Sequence, residues 1–308
     1  VSWQHHRQSI LISSVWRKMM KNLIPPSNTP SFIQRHKDVV DSKSNTIKGN
    51  PNLTKANLLR LEQEISARYA LFESAVANNT LFNMTEDANL LRHQDDLLSC
   101  YTGRTAKVKN IFKAITNKQP KRFLKRCPYC GITIPKTYDH YLPETKFPEL
   151  SVHALNLIPC CGTCNQTKNN NWKNANNRIF LYFYNDLIPN STFLHVTINT
   201  NAAASTVSAH FSIIKPRNFS NQAWQILESH YENLKLISSY NEYANDEISE
   251  IFNTCVSHLR CGGHQVTNFI NQLTLTEEQL YGPNHWRVVL MKALSANNSF
   301  CIFVQNAV

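Results

Sequence analysis

The sequence predicts an α+β protein, with mostly helical flanks around a compact central unit and a short antiparallel hairpin after that unit. Three observations predict this. Apolar residues recur at helical spacing over 54–78 and again from Asn221 onward. Two Cys-x-x-Cys pairs, at Cys127/Cys130 and Cys161/Cys164, frame the centre. Two alternating segments, 193–199 and 206–213, follow it.

Residues 1–53 read as an N-terminal extension and linker. Residues 10–16 (ILISSVW) form a short apolar stretch after Arg7. Two serines interrupt it, and Arg17, Lys18 and Lys21 stand where a small-residue cleavage site would be. A secretory signal is therefore not expected, and 1–19 reads as an upstream extension. Residues 20–53 are rich in Pro, Ser, Asn and Lys, with little periodicity. A helical region over 54–120 comes next. Leu58, Leu61, Ile65, Tyr69, Phe72 and Val76 lie on one stripe, and Glu64 and Arg68 make a favourable i,i+4 pair on another face. Further helices are expected at 85–101 and 105–117, the latter carrying Val108, Ile111, Phe112 and Ile115.

Charge narrows the partners. The chain of 308 residues has 32 Lys+Arg against 21 Asp+Glu, a net charge of +11, which points to a polyanion, most often nucleic acid. Between Arg104 and Arg126 there are nine basic residues and no acidic one. A solvated helix face explains such a run equally well; its place directly before the cysteines favours a phosphate-contacting surface, with Lys121, Arg122, Lys125 and Arg126 the nearest candidates. Only 7 glycines and 42% hydrophobic residues exclude collagen, rod-like and disordered chains. No run of 18 apolar residues is present, so no membrane partner is expected.

The central unit, 121–180, holds the chemistry. Nine cysteines, five of them within 127–164, fit a reducing, cytoplasmic setting and metal ligation better than a disulfide framework. Two knuckles of two thiolates each make a closed tetrahedral Zn²⁺ site, and zinc would supply folding energy that so short a segment lacks. Cys160 competes with Cys161 for the fourth place. The tight Cys161-Gly162-Thr163-Cys164 spacing favours Cys161 and leaves Cys160 as a small buried hydrophobe. Between the knuckles lies Asp139-His140; Asn156-Leu157 precedes the second knuckle, and Asn165 and Lys168 follow it.

With those residues in this order, the unit resembles the HNH, or ββα-metal (His-Me finger), endonucleases, and more closely their branch with a four-cysteine zinc knuckle. The matching text is CPYC, DH, NL, CGTCN and Lys168; the similarity covers about 50 of the 308 residues and none of the flanks. Where a Gly-rich stretch often follows the DH-x-x-P segment, this chain has Phe147-Pro148-Glu149-Leu150. The chemistry suits the residues. Phosphodiester hydrolysis needs a base, a metal ion and in-line geometry. Histidine's unperturbed pKa lies near neutrality, which suits His140 as the base. Asp139 and Asn165 offer hard oxygens to a catalytic Mg²⁺ (or Mn²⁺). Lys168, on the first turn of a helix opened by Asn165, would contact phosphate. Adjacent strand residues point apart, so Asp139 and His140 share a site only where the strand ends or bulges, and Pro143 is consistent with an ending strand. The resemblance implies that Asn156 organises the loop and orients His140; capping a turn is its bland alternative. His153, Glu144, Glu149 and Asp186 read as surface residues, and Trp172 as a core plug.

DNA is favoured over RNA as substrate. The layout is similar to HNH subunits of bacterial anti-phage systems, as in Septu-type and retron systems, and this similarity implies an ATPase protein partner. The alternatives are a zinc-knuckle binding module without catalysis and a stand-alone restriction or homing-type nuclease. A zinc deaminase lacks its His-x-Glu here, and no Walker A loop is present. After the unit, FLYFY (180–184) and the alternating pair read as a short antiparallel sheet. Helices are expected from Asn221, where Trp224, Leu227, Tyr231 and Leu234 share a stripe, and at about 241–260, 264–273 and 284–296.

Overall fold

The computed structural model describes residues 22–189, 191–201, 203 and 206–308; the reading of 1–19 as an extension lies outside them. Helix α1 (Phe32–Asp41) opens on Ser31, whose side chain caps Gln34 N–H. It is followed by the paired two-residue strands β1 (Thr46–Ile47) and β2 (Asn50–Pro51). The linker expected over 20–53 is thus corrected. Phe32, Arg35, His36, Val39 and Val40 are buried, and this helical stripe was masked because two of its members are charged or polar.

The stripe at 54–78 is split between α2 (Leu53–Arg60) and α3 (Glu62–Ala77), which meet at Leu61. Leu58, Leu61, Ile65, Tyr69 and Phe72 all enter the core. Next come α4 (Ala88–Leu91), α5 (Gln94–Thr102) and α6 (Ala106–Thr116). Helix α6 buries Val108, Ile111 and Ile115 as its spacing predicts, with its basic residues on the other face.

The centre is a strand, strand, helix arrangement. Strand β3 (Thr137–His140) pairs antiparallel with β4 (Leu157–Cys160), setting Asp139 opposite Ile158 and His140 opposite Leu157. Helix α7 (Gly162–Lys168) follows at once. FLYFY forms no strand. It is a buried irregular segment whose Tyr182 and Tyr184 hydroxyls donate to the carbonyls of Leu155 and Leu157, tying it to the loop before β4 and to the first residue of that strand.

The hairpin β5 (Leu194–Asn201) and β6 (Thr206–Ile213) is antiparallel over its whole length. Five helices complete the chain: α8 (Asn221–Asn233), α9 (Leu236–Arg260), α10 (Val266–Tyr281), α11 (Trp286–Ala296) and α12 (Asn298–Asn306). Among the described residues no single helix is long and apolar enough to cross a membrane. The pair α11 and α12 passes only jointly and is bent by 77°.

Both flanks clamp the centre. From the C-terminal side, His230 Nε2–H, Tyr240 O–H and His285 Nε2–H donate to the successive carbonyls of Tyr129, Cys130 and Gly131, each at 3.0 Å. Gly131 is required there: its φ is +69°, and a Cβ would lie 3.2 Å from the His285 ring. From the N-terminal side, Arg68 Nε donates to Glu149 at 2.9 Å, and Ser151 O–H donates to Leu97 O at 3.2 Å. The unit is therefore braced by chain 54 and 81 residues before its partners and 101 to 154 residues after them.

Candidate metal centre and active site

Cys127, Cys130, Cys161 and Cys164 converge as expected. Their sulfurs all lie within 4.8 Å of one another and all four residues are buried. Zinc–sulfur bonds of about 2.3 Å in a tetrahedron set sulfurs about 3.8 Å apart; Cys130 Sγ and Cys161 Sγ stand at 3.9 Å. That is far beyond a disulfide bond. The cluster could hold one zinc ion. Four buried thiolates this close would need a cation to balance them. Cys160 stays outside the cluster. It is fully buried, sits 3.4 Å from Thr137 Oγ1, and burial pushes its thiol up to about 12.

The other site forms where β3 ends. Strand alternation sends the two adjacent side chains to opposite sides. Asp139 turns toward α7 and the first knuckle, where Oδ1 accepts from Lys168 at 3.0 Å and Oδ2 from the Tyr129 hydroxyl at 2.7 Å. His140 turns toward the helical flank. Its Nε2–H donates to Ser151 O at 2.8 Å, and its ring lies edge-on to Tyr101, centroids 4.5 Å apart. That bond leaves Nδ1 as the acceptor nitrogen. Glu144 Oε2 is 3.2 Å from it. Because the strand stops at His140, both residues still line one open cavity of about 340 Å³, together with Asn165, Glu144, Tyr101 and Arg104. Burial lowers the His140 pKa, while Glu144, the Ser151 carbonyl and Asp139 push it back up.

Asn156 is completely buried and stitches the intervening loop. Its Oδ1 accepts from Leu142 N–H at 2.8 Å, and its Nδ2 donates to the carbonyls of Leu142 and Leu150 at 3.0 and 3.3 Å. Its side chain hydrogen-bonds to neither His140 nor Asp139 and acts on the loop that holds Ser151.

Three expectations are corrected. Lys168 does not offer its ammonium to solvent; it is fully buried, bonded to Asp139 and to His140 O at 2.9 Å. Glu149, His153 and Asp186 are core residues rather than surface ones. Glu149 pairs with Arg68, Asp186 with Arg178, and His153 lies 3.5 Å from Glu73. Arg126 does not line the groove of its three neighbours, and its Nη1 donates to Ile132 O at 2.8 Å. Lys121, Arg122 and Lys125 do share one groove, of about 650 Å³. Trp172 is buried as expected.

The chain is similar to protein ea31 of Escherichia phage lambda. The two are 26% identical over 191 residues, 57% of this chain and 63% of the phage protein. The chain thus spans less than two thirds of that relative's length. No protein-family model matches the chain, and no solved structure matches it.

Four site features were not singled out from the sequence. Glu144 was left on the surface, although its position four residues after His140 was visible. Arg104 was one of nine basic residues with nothing to set it apart. Tyr129 and the Ser151 carbonyl had no local signal, since their partners meet them only through tertiary packing.

Proposed function

We propose that this chain is a metal-dependent HNH-type endonuclease that hydrolyses phosphodiester bonds in nucleic acid, with DNA favoured over RNA. The observation that carries the reading is His140. A buried imidazole is fixed through Nε2–H on Ser151 O, its Nδ1 lies 3.2 Å from Glu144 Oε2, and the residue lines an open cavity together with a carboxylate and an amide. In the neutral ring Nδ1 is an acceptor; a cavity water that donates to it would stand as the nucleophile. His140 Nδ1 takes its proton. The Ser151 carbonyl and Glu144 then both accept from the charged ring and hold it in place.

The donor set fits Mg²⁺ (or Mn²⁺). Asp139, whose two oxygens already accept from Lys168 and Tyr129, and Asn165 line the cavity and would hold the ion, with room for waters and phosphate. When bound, the ion supplies positive charge at the phosphate and the leaving oxygen. Lys168 meanwhile neutralises Asp139 from the protein side and fixes its orientation. Zinc in the four-cysteine cluster is structural in this reading, holding the end of β4 against the first knuckle.

The test is cleavage of supercoiled plasmid and of a folded RNA by the zinc-loaded protein. Cleavage should require Mg²⁺ or Mn²⁺ and stop reversibly on mild chelation. A protein that binds nucleic acid but cuts neither substrate in either metal would instead be a zinc-knuckle binding module. An ATPase partner and a place in anti-phage defence rest on the family resemblance alone; co-purification tests them.

A further inference from the structure

We infer that the substrate strand reaches His140 along β3, its phosphates carried by Lys121, Arg122, Lys125 and Lys136 and its inner end met by Arg104. The inference rests on the nuclease reading for what happens at His140, though not for where the polyanion lies. Lys136 and Arg104 both lie outside the sequence motif.

The groove of about 650 Å³ beside β3 is lined by those four cations and by no carboxylate. Among the described residues none of the four makes an ion pair. Other exposed lysines of this chain do, as with Lys37 and Glu62, Lys146 and Glu86, and Lys292 and Glu278. Unpaired cations around an acid-free groove leave a positive field there, which suits a chain of phosphates.

The groove does not stop short of the site. Thr137 and Tyr138 line it and also line the cavity of Asp139 and His140. The two spaces are therefore neighbours across the strand that carries the reactive pair. The wall between them is aromatic: Tyr138 stacks on Phe112 with centroids 4.3 Å apart and planes 10° apart.

Arg104 closes the inner end. It has φ +46°, in the left-handed region, and its guanidinium lies 4.2 Å from the Tyr101 ring centroid and 5.2 Å from that of Phe112. Stacking on two rings limits where this long side chain can go. It is held at a cavity whose other charged members are Asp139, His140 and Glu144. A phosphate entering there meets carboxylates, and Arg104 is the protein's own compensation.

The test uses the non-cleaving His140→Ala protein and a duplex of roughly 20 base pairs, with affinity measured against salt. Loss of one phosphate contact lowers the slope of log affinity against log salt by about 0.9. Lys136→Ala and Arg104→Ala should each do this, and Arg104→Lys, which keeps the charge, should largely restore the slope. Lys109→Ala removes an equal charge from the same basic run but outside the groove, and should leave the slope unchanged. Slopes for Lys136→Ala and Arg104→Ala that match Lys109→Ala would overturn the path. Flattened slopes in a protein whose parent cuts nothing would uphold the path and end the nuclease reading. Unchanged slopes with intact His140-dependent cleavage would do the reverse.

Discussion

Lys168 Nζ lies 3.0 Å from Asp139 Oδ1, and the two side chains are 0% and 3% exposed. A buried ammonium with a buried carboxylate is tolerated because each neutralises the other, while Tyr129 O–H and His140 O take up further bonds. Removing one partner strands the other. Lys168→Ala should therefore destabilise the protein by about 3–5 kcal/mol, read as a lowered urea midpoint at unchanged slope. A Lys168→Ala protein of native stability that has only lost affinity for nucleic acid would restore this lysine to the phosphate-contacting role its sequence position suggests. The same pairing means that Asp139→Asn is a better probe of metal binding than Asp139→Ala.

The cysteine cluster makes a separate prediction. Purified protein should carry about one tightly held zinc per chain, since four thiolates fill one tetrahedral site. Cys127→Ser and Cys164→Ser should lose it and become protease-sensitive around residues 120–180, because metal binding and folding are coupled there. Cys160→Ser should keep its zinc. Metal analysis of the three variants decides the assignment; loss of zinc from Cys160→Ser with retention in a knuckle variant would mean that the ligand set is misassigned.

Much of the centre was legible in the sequence, because its signals are local. Cys-x-x-Cys spacing places two thiolates in one turn, and both knuckles, the end of β3 at His140 and the stripe of α6 follow from positions a few residues apart. What was missed depends on distance. Glu149 looks like a surface acid until Arg68, 81 residues earlier, arrives beside it. Lys168 reads as a phosphate-contacting lysine because spacing does not say whether a long side chain folds inward. Helix α1 was hidden since its core stripe includes Arg35 and His36, which a count of apolar residues omits.

His36 gives the pH prediction. Burial, with His153 nearby, depresses its pKa to about 4, against about 6.5 in an unfolded chain. Above pH 6.5 neither state holds the proton and the group has no effect. As pH falls toward 4 the unfolded chain gains a proton that the folded one refuses, so stability drops by about 1.4 kcal/mol per pH unit from this residue. Denaturant titrations at several pH values should show this fall, and His36→Gln should make it shallower. An identical pH profile in the variant would mean His36 is not buried neutral.

Asn156 should behave as a positioning residue. Asn156→Ala leaves Leu142 N–H and Leu142 O without partners in the core, while Leu150 O keeps its bond from His153 N–H, costing about 1–3 kcal/mol per unsatisfied group at most. Cleavage should fall with zinc retained and duplex affinity nearly unchanged, as the loop bearing Ser151 loosens around His140. Full activity in Asn156→Ala would show that the loop holds its shape without it.

The most direct test is His140→Ala, assayed for plasmid cleavage in Mg²⁺ beside the parent protein, with zinc content and duplex affinity measured on the same samples. The nuclease reading predicts that the parent cuts and that the variant, equally zinc-loaded and equally able to bind, is slower by on the order of 10²–10⁴. A His140→Ala protein that cuts as fast as its parent would contradict it.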